Sequence, residues 1–305
     1  MRARDLVPWA CAAIVLGSAA CKILASPFQS SAPAPARITT PIVPRARIAV
    51  SWIGHATALV QLDDRTILTD PVFTPSVGVL SRRLVETPMA PEDLPPIDVT
   101  VVSHMHFDHL SLGSLEAIQS KVRRLYVPEG GLVYLTDMAI DAYDVAPWES
   151  VADPSGVEVT AVPVKHNGMR YGIDIAWMRA FTGWVVRYHG LTVYFGGDTA
   201  YDEQHFQETR ARFPKIDLAL LPIAPIHPRR FMSASHMEPY EAVRAMLDLG
   251  AARMVPVHYD TFINSGDALG EAPDGVLRAA RMRDLDTDRV ALMRIGEQRV
   301  LVPAP

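Results

Sequence analysis

The sequence predicts an α/β fold in which two mixed β-sheets pack together and helices flank them. Two observations indicate this architecture. Short stretches rich in Val, Ile and Leu, bounded by Gly, Pro or Asp, recur along the chain, as is typical of strands. Longer segments with helical start and stop signals lie between several of them. Polar residues that follow the strands are expected to gather along one edge of the sheets.

The first half of the chain is predicted to contain a meander of strands. Residues 46–52, 58–62 and 66–69 alternate or run apolar, with turn residues between them. The β-branched run 98–103 predicts a buried strand, and a helix is predicted at 111–119. The segment between this strand and this helix therefore lies in a loop at the carboxyl end of a strand.

The second half repeats this pattern of strands and helices. The predicted strands are 157–164, 182–188, 191–195, 217–222 and 254–257, and the predicted helices are 202–213 and 239–249. His189 and Gly190 form a two-residue turn between the second and third of these strands. No repeat of fixed period appears, so a solenoid is excluded.

Composition limits the functions that the chain can have. A length of 305 residues with 49% hydrophobic content can bury a large core. The formal net charge of −5 gives no basic excess, so a nucleic-acid partner is not expected. Both cysteines, Cys11 and Cys21, lie near the N-terminus. A metal site in the rest of the chain must therefore use histidines and carboxylates.

Three parts are predicted along the chain. Residues 1–26 have a basic start and an apolar run too short for a confident membrane span, which indicates a signal peptide or an N-terminal anchor. Small residues precede Cys21, so a lipoprotein is an alternative to simple export. Residues 27–45, rich in Pro, Ala and Ser, predict a tether, and residues 46–305 the folded domain. We expect an exported protein, periplasmic or membrane-anchored, that meets a membrane surface through its N-terminus.

Residues with metal-binding chemistry occupy the loop 104–109, whose sequence is HMHFDH. Alternate residues of an extended loop point the same way, so His104 and His106 can hold one cation. Asp108 and His109, further round the turn, can hold a second cation. Nitrogen and oxygen ligands without sulfur suit zinc first, with iron or manganese as alternatives.

Three later residues of the same chemistry, His166, Asp198 and His258, also follow predicted strands. Asp198 stands in a Gly-Gly-Asp-Thr turn, where small neighbours let the backbone approach a metal closely. Its two carboxylate oxygens diverge and can bridge two ions. The sequence therefore favours a centre with two metal ions.

The HMHFDH loop resembles the HxHxDH signature of the metallo-β-lactamase superfamily, and His166, Asp198 and His258 follow in that superfamily's order. More narrowly, several blocks resemble the branch containing N-acylphosphatidylethanolamine phospholipase D and its bacterial relatives. These blocks are WIGHAT at 52–57, LTDPVF at 68–73, LPPIDVTVVSHMHFDH at 94–109, VYFGGDT at 193–199, IDLALLPI at 216–223 and PVHYDTF at 256–262. The resemblance implies a four-layer αββα sandwich of the metallo-β-lactamase type.

The resemblance also implies how the centre works. It assigns one zinc ion to His104, His106 and His166, a second to Asp108, His109 and His258, and shares Asp198 between them. A hydroxide between the two Zn²⁺ ions would be the nucleophile, and Asp108 would also accept a proton from the attacking water. The expected activity is zinc-dependent, phospholipase D-like hydrolysis of a phosphodiester such as an N-acyl phospholipid.

Other residues are predicted to lie near the metals or the substrate. His236 matches a histidine that the phospholipase branch uses near substrate, which implies a catalytic role. Asp70 is expected to orient a ligating histidine, and His55 either to do the same or to be structural. The remaining candidates for substrate or ligand contacts are Arg229, Arg230 and Phe231 in one basic and apolar loop, and Tyr259 where relatives often carry tryptophan.

Two alternatives remain open. The same metal centre can hydrolyse a lactone or a carboxylic ester, or the chain can be a non-catalytic metal-binding scaffold. The complete set of seven predicted ligands disfavours the scaffold, because a disused site has little reason to keep them all. The expected partner is a small molecule or a phospholipid, and the sequence does not indicate an oligomeric state.

Overall fold

A computed structural model describes residues 30–78, 81–171, 174 and 179–305. The strands of the two large sheets and of a small hairpin are β1 (Ala46–Gly54), β2 (Thr57–Leu62), β3 (Arg65–Thr69), β4 (Ser76–Val77), β5 (Ser81–Arg82), β6 (Val99–Val101), β7 (Leu125–Pro128), β8 (Ala142–Val145), β9 (Ser150–Ala152), β10 (Glu158–Val162), β11 (Gly183–Tyr188), β12 (Leu191–Phe195), β13 (Ile216–Pro222), β14 (Ala251–Val257) and β15 (Gln298–Pro303). The helices are α1 (Leu112–Ile118), α2 (Glu203–Arg212), α3 (Arg229–Met232), α4 (Pro239–Asp248) and α5 (Glu271–Arg281).

Both large sheets are mixed, as the sequence predicts. The first sheet has the order β15-β1-β2-β3-β6-β7-β8, with antiparallel pairs from β15 to β3 and parallel pairs from β3 to β8. The second sheet has the order β14-β13-β12-β11-β10-β9, antiparallel from β9 to β12 and parallel from β12 to β14. The small hairpin pairs β4 with β5.

The core has one large apolar cluster between the sheets and a second beneath α1. Trp52 on β1 and Trp184 on β11 belong to the cluster between the sheets, which continues to the buried faces of α2, α4 and α5. Leu115 and Ile118 of α1 pack with Leu68 of β3 on the outer face of the first sheet. Helices therefore cover both outer faces, because strands with two apolar faces need cover on each. The predicted αββα sandwich is confirmed.

Local signals in the sequence set the ends of the helices. The Ser111 side chain accepts a hydrogen bond from the Ser114 amide at the start of α1. Helix α4 begins with Pro239 in its first turn and with a capping box between Glu238 and Glu241. Gly250, with φ +66°, follows α4 in the left-handed conformation that commonly ends a helix.

The N-terminal leader predicted for residues 1–26, including Cys21, lies outside the described residues. The described part of the predicted tether is hydrogen-bonded to the domain: Ser31 Oγ donates to Arg83 O, and Ile38 N donates to Pro88 O. Further along, Gln61 bonds both backbone groups of Val43. This stretch therefore runs along the surface of the domain. None of the described helices has the length and apolar character needed to cross a membrane.

Candidate metal centre

Four strand ends from both sheets bring the predicted ligands together. The loop 104–109 follows β6 of the first sheet, while His166, Asp198 and His258 follow β10, β12 and β14 of the second. Because β12, β13 and β14 are parallel, the carboxyl ends of β12 and β14 reach the same edge. The centre therefore lies where the edges of the two sheets meet.

One group of donor atoms consists of three histidines, His104, His106 and His166, whose ligand nitrogens lie within 4.8 Å of one another. His106 Nδ1 is 2.8 Å from His104 Nε2 and 3.4 Å from His166 Nε2. A second group contains His55, Asp108, His109 and His258, again with donor atoms within 4.8 Å. The loop residues are thus divided between two groups, and His55 joins the second, while donor atoms of His104, His109 and Asp198 also lie within 4.8 Å of one another.

Asp198 lies between the two groups. Its Oδ1 is 3.1 Å from His258 Nε2, and its Oδ2 is 3.3 Å from His109 Nε2, both in the second group. Oδ2 is also 4.0 Å from the Nε2 atoms of His104 and His166 in the first group. A carboxylate in this position can contact a cation in either group.

Gly197 allows Asp198 to reach this position. Its φ is +55°, in the left-handed region where a side chain is strained. A Cβ atom at this residue would lie 2.2 Å from Cβ of Ser103, the residue before His104. The turn of the second sheet can approach the metal loop of the first sheet only because residue 197 has no side chain.

Asp70, at the end of β3, orients ligands on the loop. Its Oδ2 accepts hydrogen bonds from His109 Nδ1 and from Ser103 Oγ, each at 2.6 Å. Ser103 Oγ lies 2.9 Å from His104 Nδ1 and can accept a hydrogen bond from it. These bonds occupy Nδ1 of His104 and of His109 and turn the Nε2 atoms toward the centre, the arrangement common around ligating histidines.

The other first-group histidines are fixed in the same way. His166 Nδ1 donates to Ser235 O at 2.9 Å, and His106 Nε2 is 3.2 Å from Asn167 Oδ1. Each histidine of this group therefore uses one ring nitrogen for an outer partner and turns the other toward its neighbours. Ser103 and Asn167 were not predicted as outer partners, although each is adjacent in sequence to a predicted ligand.

His55 is buried, and its Nε2 donates to Asp108 Oδ2 at 2.9 Å. Its backbone has φ +55°, and its carbonyl accepts hydrogen bonds from Trp52 Nε1 and from the amide of His258, which itself has φ +66°. Its amide donates to Thr261 Oγ1 at 2.7 Å. The hydrogen bond from the His258 amide to the His55 carbonyl thus joins two residues with strained backbone conformations. Such strained residues are common at functional sites.

The electrostatics of the centre match a metal-binding role. Burial lowers the pKa of His166 to about 3 and that of His104 well below its usual value, so both are neutral, as ligating histidines must be. Burial tends to raise the pKa of Asp198, but the neighbouring histidines His258 and His109 hold it well below its usual range. His109 has a raised pKa despite its burial, because Asp198, Asp108 and Asp70 surround it.

The raised pKa of His109 shows that the carboxylates attract positive charge to this point, a charge that a metal cation supplies more directly. Several buried atoms also lack a hydrogen-bond partner among the described residues: His109 Nε2, Asp198 Oδ1 and both ring nitrogens of His258. Such orphaned polar atoms are rare unless a ligand satisfies them. The residues present therefore fit bound cations, with a donor set of nitrogen and oxygen.

His236 lies beside the centre but outside both groups. Its Nδ1 is 3.5 Å from Asp198 Oδ2 and has no hydrogen-bond partner among the described residues. Burial lowers its pKa to about 4. Arg229 holds the backbone here, since Nη1 donates to His236 O while the other end of the guanidinium pairs with Glu241.

The remaining predicted residues differ in their surroundings. Phe231 is 74% exposed and Arg230 is also exposed, both on the short helix α3. Tyr259 is buried, stacks on Trp52 with ring centres 4.4 Å apart, and donates its hydroxyl to Met293 O. The Tyr259 hydroxyl therefore forms its hydrogen bond within the core.

A cavity of about 270 Å³ adjoins the centre at His55 and His258. Its wall includes apolar side chains such as Leu84, Phe262 and the exposed Leu269. This size and lining suit part of an apolar substrate.

Comparison with known proteins agrees with the geometry. Residues 65–259 match the family model described as "Beta-lactamase superfamily domain". The chain is 34% identical to an uncharacterized protein of Mycobacterium tuberculosis over 85% of this chain and 72% of that protein. It is 31% identical to N-acyl-phosphatidylethanolamine-hydrolyzing phospholipase D 1 of Caenorhabditis elegans, over 70% of this chain and 64% of that one.

Among solved structures, the fold resembles Igni18, a metallo hydrolase from the archaeon Ignicoccus hospitalis. The TM-score is 0.63 at 19% identity, covering 83% of this chain and 97% of the archaeal one. At this identity the likeness concerns the fold alone. The family model, the relatives and the paired His/Asp groups agree: the chain belongs to the metallo-β-lactamase superfamily and is a metal-dependent hydrolase of that fold.

Proposed function

We propose that this hydrolase uses two zinc ions to cleave a phosphodiester, with an N-acyl phospholipid or a smaller relative as substrate. The observation that carries the proposal is the pair of donor groups with Asp198 between them. When bound, the two ions would activate a water molecule and neutralise charge on the attacking and leaving oxygens of a phosphodiester. Nitrogen and oxygen donors without sulfur favour zinc, with iron or manganese as alternatives.

Asp108 is suited to hold the attacking water. His55 donates to its Oδ2, and the same oxygen lies 3.8 Å from the Nε2 atoms of His109 and His258, where it faces the second donor group. His55, His109 and His258 surround this carboxylate and hold its pKa well below its usual range against the opposing effect of burial. The carboxylate is therefore ionised at neutral pH.

His236 is suited to act on the substrate. It is the buried imidazole beside Asp198 that neither donor group includes, and its side chain is still 15% exposed. With a pKa of about 4 it is neutral near pH 7 and carries one ring N–H. That N–H can donate a hydrogen bond to a phosphoryl or leaving-group oxygen, which agrees with the catalytic role inferred from the sequence.

The choice of a lipid rests on two further observations. The Caenorhabditis elegans relative is named for hydrolysis of N-acyl-phosphatidylethanolamine, and its similarity extends over 70% of this chain. The cavity beside His55 and His258 has an apolar wall that can take part of an acyl chain. We also propose that residues 1–26 export the protein and bring the domain to a membrane, where Arg230 and Phe231 are free to meet lipid.

The test is a comparison of substrates on zinc-loaded protein, with His104→Ala as the blank and His189→Ala as a surface control. We expect release of phosphatidic acid from N-acylphosphatidylethanolamine in mixed micelles, absent in the blank. Hydrolysis of lactones or carboxylic esters without any phosphodiester would support the ester alternative instead. Protein with two bound zinc ions that cleaves none of these substrates would support the scaffold alternative.

A further inference from the structure

Arg170, four residues after His166, is buried against the metal loop, with only 8% of its surface exposed. Its Nη1 donates to the carbonyl oxygens of Met105 at 2.9 Å and of Leu110 at 2.7 Å. These two carbonyls lie near opposite ends of the loop 104–109. The guanidinium also covers the Phe107 ring, with Cζ 4.2 Å from its centre. Arg170 therefore contacts the loop at its start, its middle and its end.

The guanidinium of Arg170 is held by backbone carbonyls and an aromatic ring. Within the described ranges it forms no ion pair with a carboxylate, and its Nε is buried without a hydrogen-bond partner. A buried charge without a counterion is costly, and here two backbone carbonyls and the Phe107 ring offset that cost. Both hydrogen bonds come from one nitrogen, Nη1, while the planar guanidinium covers the Phe107 ring.

The backbone of Arg170 is fixed as well. Asp174 Oδ2 accepts a hydrogen bond from the amide of Arg170 at 2.7 Å, and Oδ1 accepts one from the amide of Tyr171 at 2.9 Å. The hydroxyl of Tyr134 also donates to Asp174. With both its backbone and its side chain held, Arg170 acts as a rigid link between the segment after His166 and the metal loop.

We propose that Arg170 is a positioning residue that sets the geometry of the first donor group, His104, His106 and His166. That group takes ligands from both of the segments that Arg170 joins, while the second group takes none from the segment that carries His166. Loss of Arg170 should therefore weaken one ion much more than the other. The inference rests on the metal centre and does not depend on which bond the enzyme cleaves.

The test compares Arg170→Met with Arg83→Met in zinc titrations of the metal-free protein. Arg83 is a matched control, because its buried guanidinium also donates to backbone carbonyls, those of Ile53 and Val72, but not to the metal loop. We expect Arg170→Met to weaken one of two zinc ions by roughly 10–100-fold, the range typical of outer partners of a metal site. The other ion, whose ligands include Asp108 and His109 of the same loop, should weaken less, and both ions in Arg83→Met should bind as in the wild type.

Cobalt spectra identify which ion is affected. The spectrum of Co²⁺-loaded Arg170→Met should resemble that of His166→Ala and differ from that of His258→Ala. If Arg170→Met does not fold, Arg170→Gln, which keeps an NH₂ donor, is titrated with the same expectations. Wild-type binding of both ions, or equal weakening of both, would overturn the proposal.

Discussion

The loop 104–109 and the three single ligands of the second sheet build the same centre by different means. In the loop, side chains outside the centre fix the ligands: Asp70 orients His109 directly and His104 through Ser103. In the second sheet, backbone geometry does more of this work. Gly197 and His258 both have positive φ, and the His258 amide bonds the carbonyl of His55.

The two regions differ in how many ligands a single substitution disturbs. One substitution beneath the loop disturbs several ligands, because a short segment carries four of them. A substitution in the second sheet disturbs the one ligand that its strand supplies, except at Asp198, which lies between both groups. Substitutions in each region should therefore differ in how many ions they affect.

Replacing Asp198 with Ala should have the largest effect, because the carboxylate lies between both donor groups. We expect zinc affinity and hydrolysis to fall by more than the ~100-fold that losing an outer partner costs. Asp98→Ala is the matched control, since Asp98 is a buried carboxylate bonded to Thr66 away from the centre. Titration of metal-free protein measures both. Two ions bound with unchanged affinity in Asp198→Ala would contradict the shared position.

Asp70→Asn should weaken zinc binding by about 10–100-fold, because the amide cannot accept from His109 and Ser103 as the carboxylate does. Both ions should be affected, since His104 and His109 belong to different groups. Asp98→Asn serves as control. If only one ion weakens, Asp70 does not organise the loop as a unit.

Gly197→Ala should lower the free energy of unfolding by about 2 kcal/mol more than Gly190→Ala, from overpacking against Ser103. Gly190 has φ +73° and open space at its Cβ position. Alanine at residue 190 therefore has the strained backbone conformation without the steric clash. Urea unfolding of both metal-free variants gives the difference. Equal destabilisation would show that the turn can move away from the loop.

The metal-free protein should lose stability as pH falls below about 6.5. Burial lowers the pKa of His55 and of His166 to about 3, so the unfolded chain binds protons in this range that the folded chain does not. Each such histidine should cost about 1–2 kcal/mol at pH 5. Urea unfolding at pH 7 and pH 5 measures the loss, which should be smaller in His166→Asn and unchanged in a variant of the exposed His189.

His104 and His236, whose pKa values burial also lowers, add to the same loss, whereas His109, Asp108 and Asp198 act outside this pH range. His109 has a raised pKa, so its contribution is complete below 6.5 and is lost only as pH rises through its folded value. Asp108 and Asp198 have lowered pKa values, so their contributions are lost only as pH falls below the ordinary carboxylate range. A flat stability between pH 7 and pH 5 would mean that the buried histidines reach solvent.

Local patterns in the sequence predicted much of the fold. The strands β1 to β3, the hairpin of β11 and β12 and the helix α4 were predicted within a few residues, because period and turn residues define them locally. The strand predicted at 98–103 is shorter, Val99–Val101, and the amide of Ser103 already bonds the side chain of Asp70 instead of a neighbouring strand. The edge strand β15 was missed, since its partner β1 lies far away in the sequence.

The candidate site shows the same limit. The order of His and Asp residues after strands indicated which side chains meet, because strand ends converge at one edge. The contacts of Arg170 with Met105 and Leu110, and of His55 with Thr261, join residues far apart in the chain. No local pattern marks these contacts. The ligands could therefore be predicted from the sequence, whereas these contacts around them became visible only in the structure.

The most direct test of the central claim is the metal content of the purified, zinc-loaded protein, measured by elemental analysis together with titration of the metal-free form. The arrangement of donor atoms around Asp198 predicts two zinc ions per chain, one of which is lost in His166→Ala and the other in His258→Ala. A content of one ion or fewer in the wild type, or loss of the same ion in both variants, would contradict a centre with two metals.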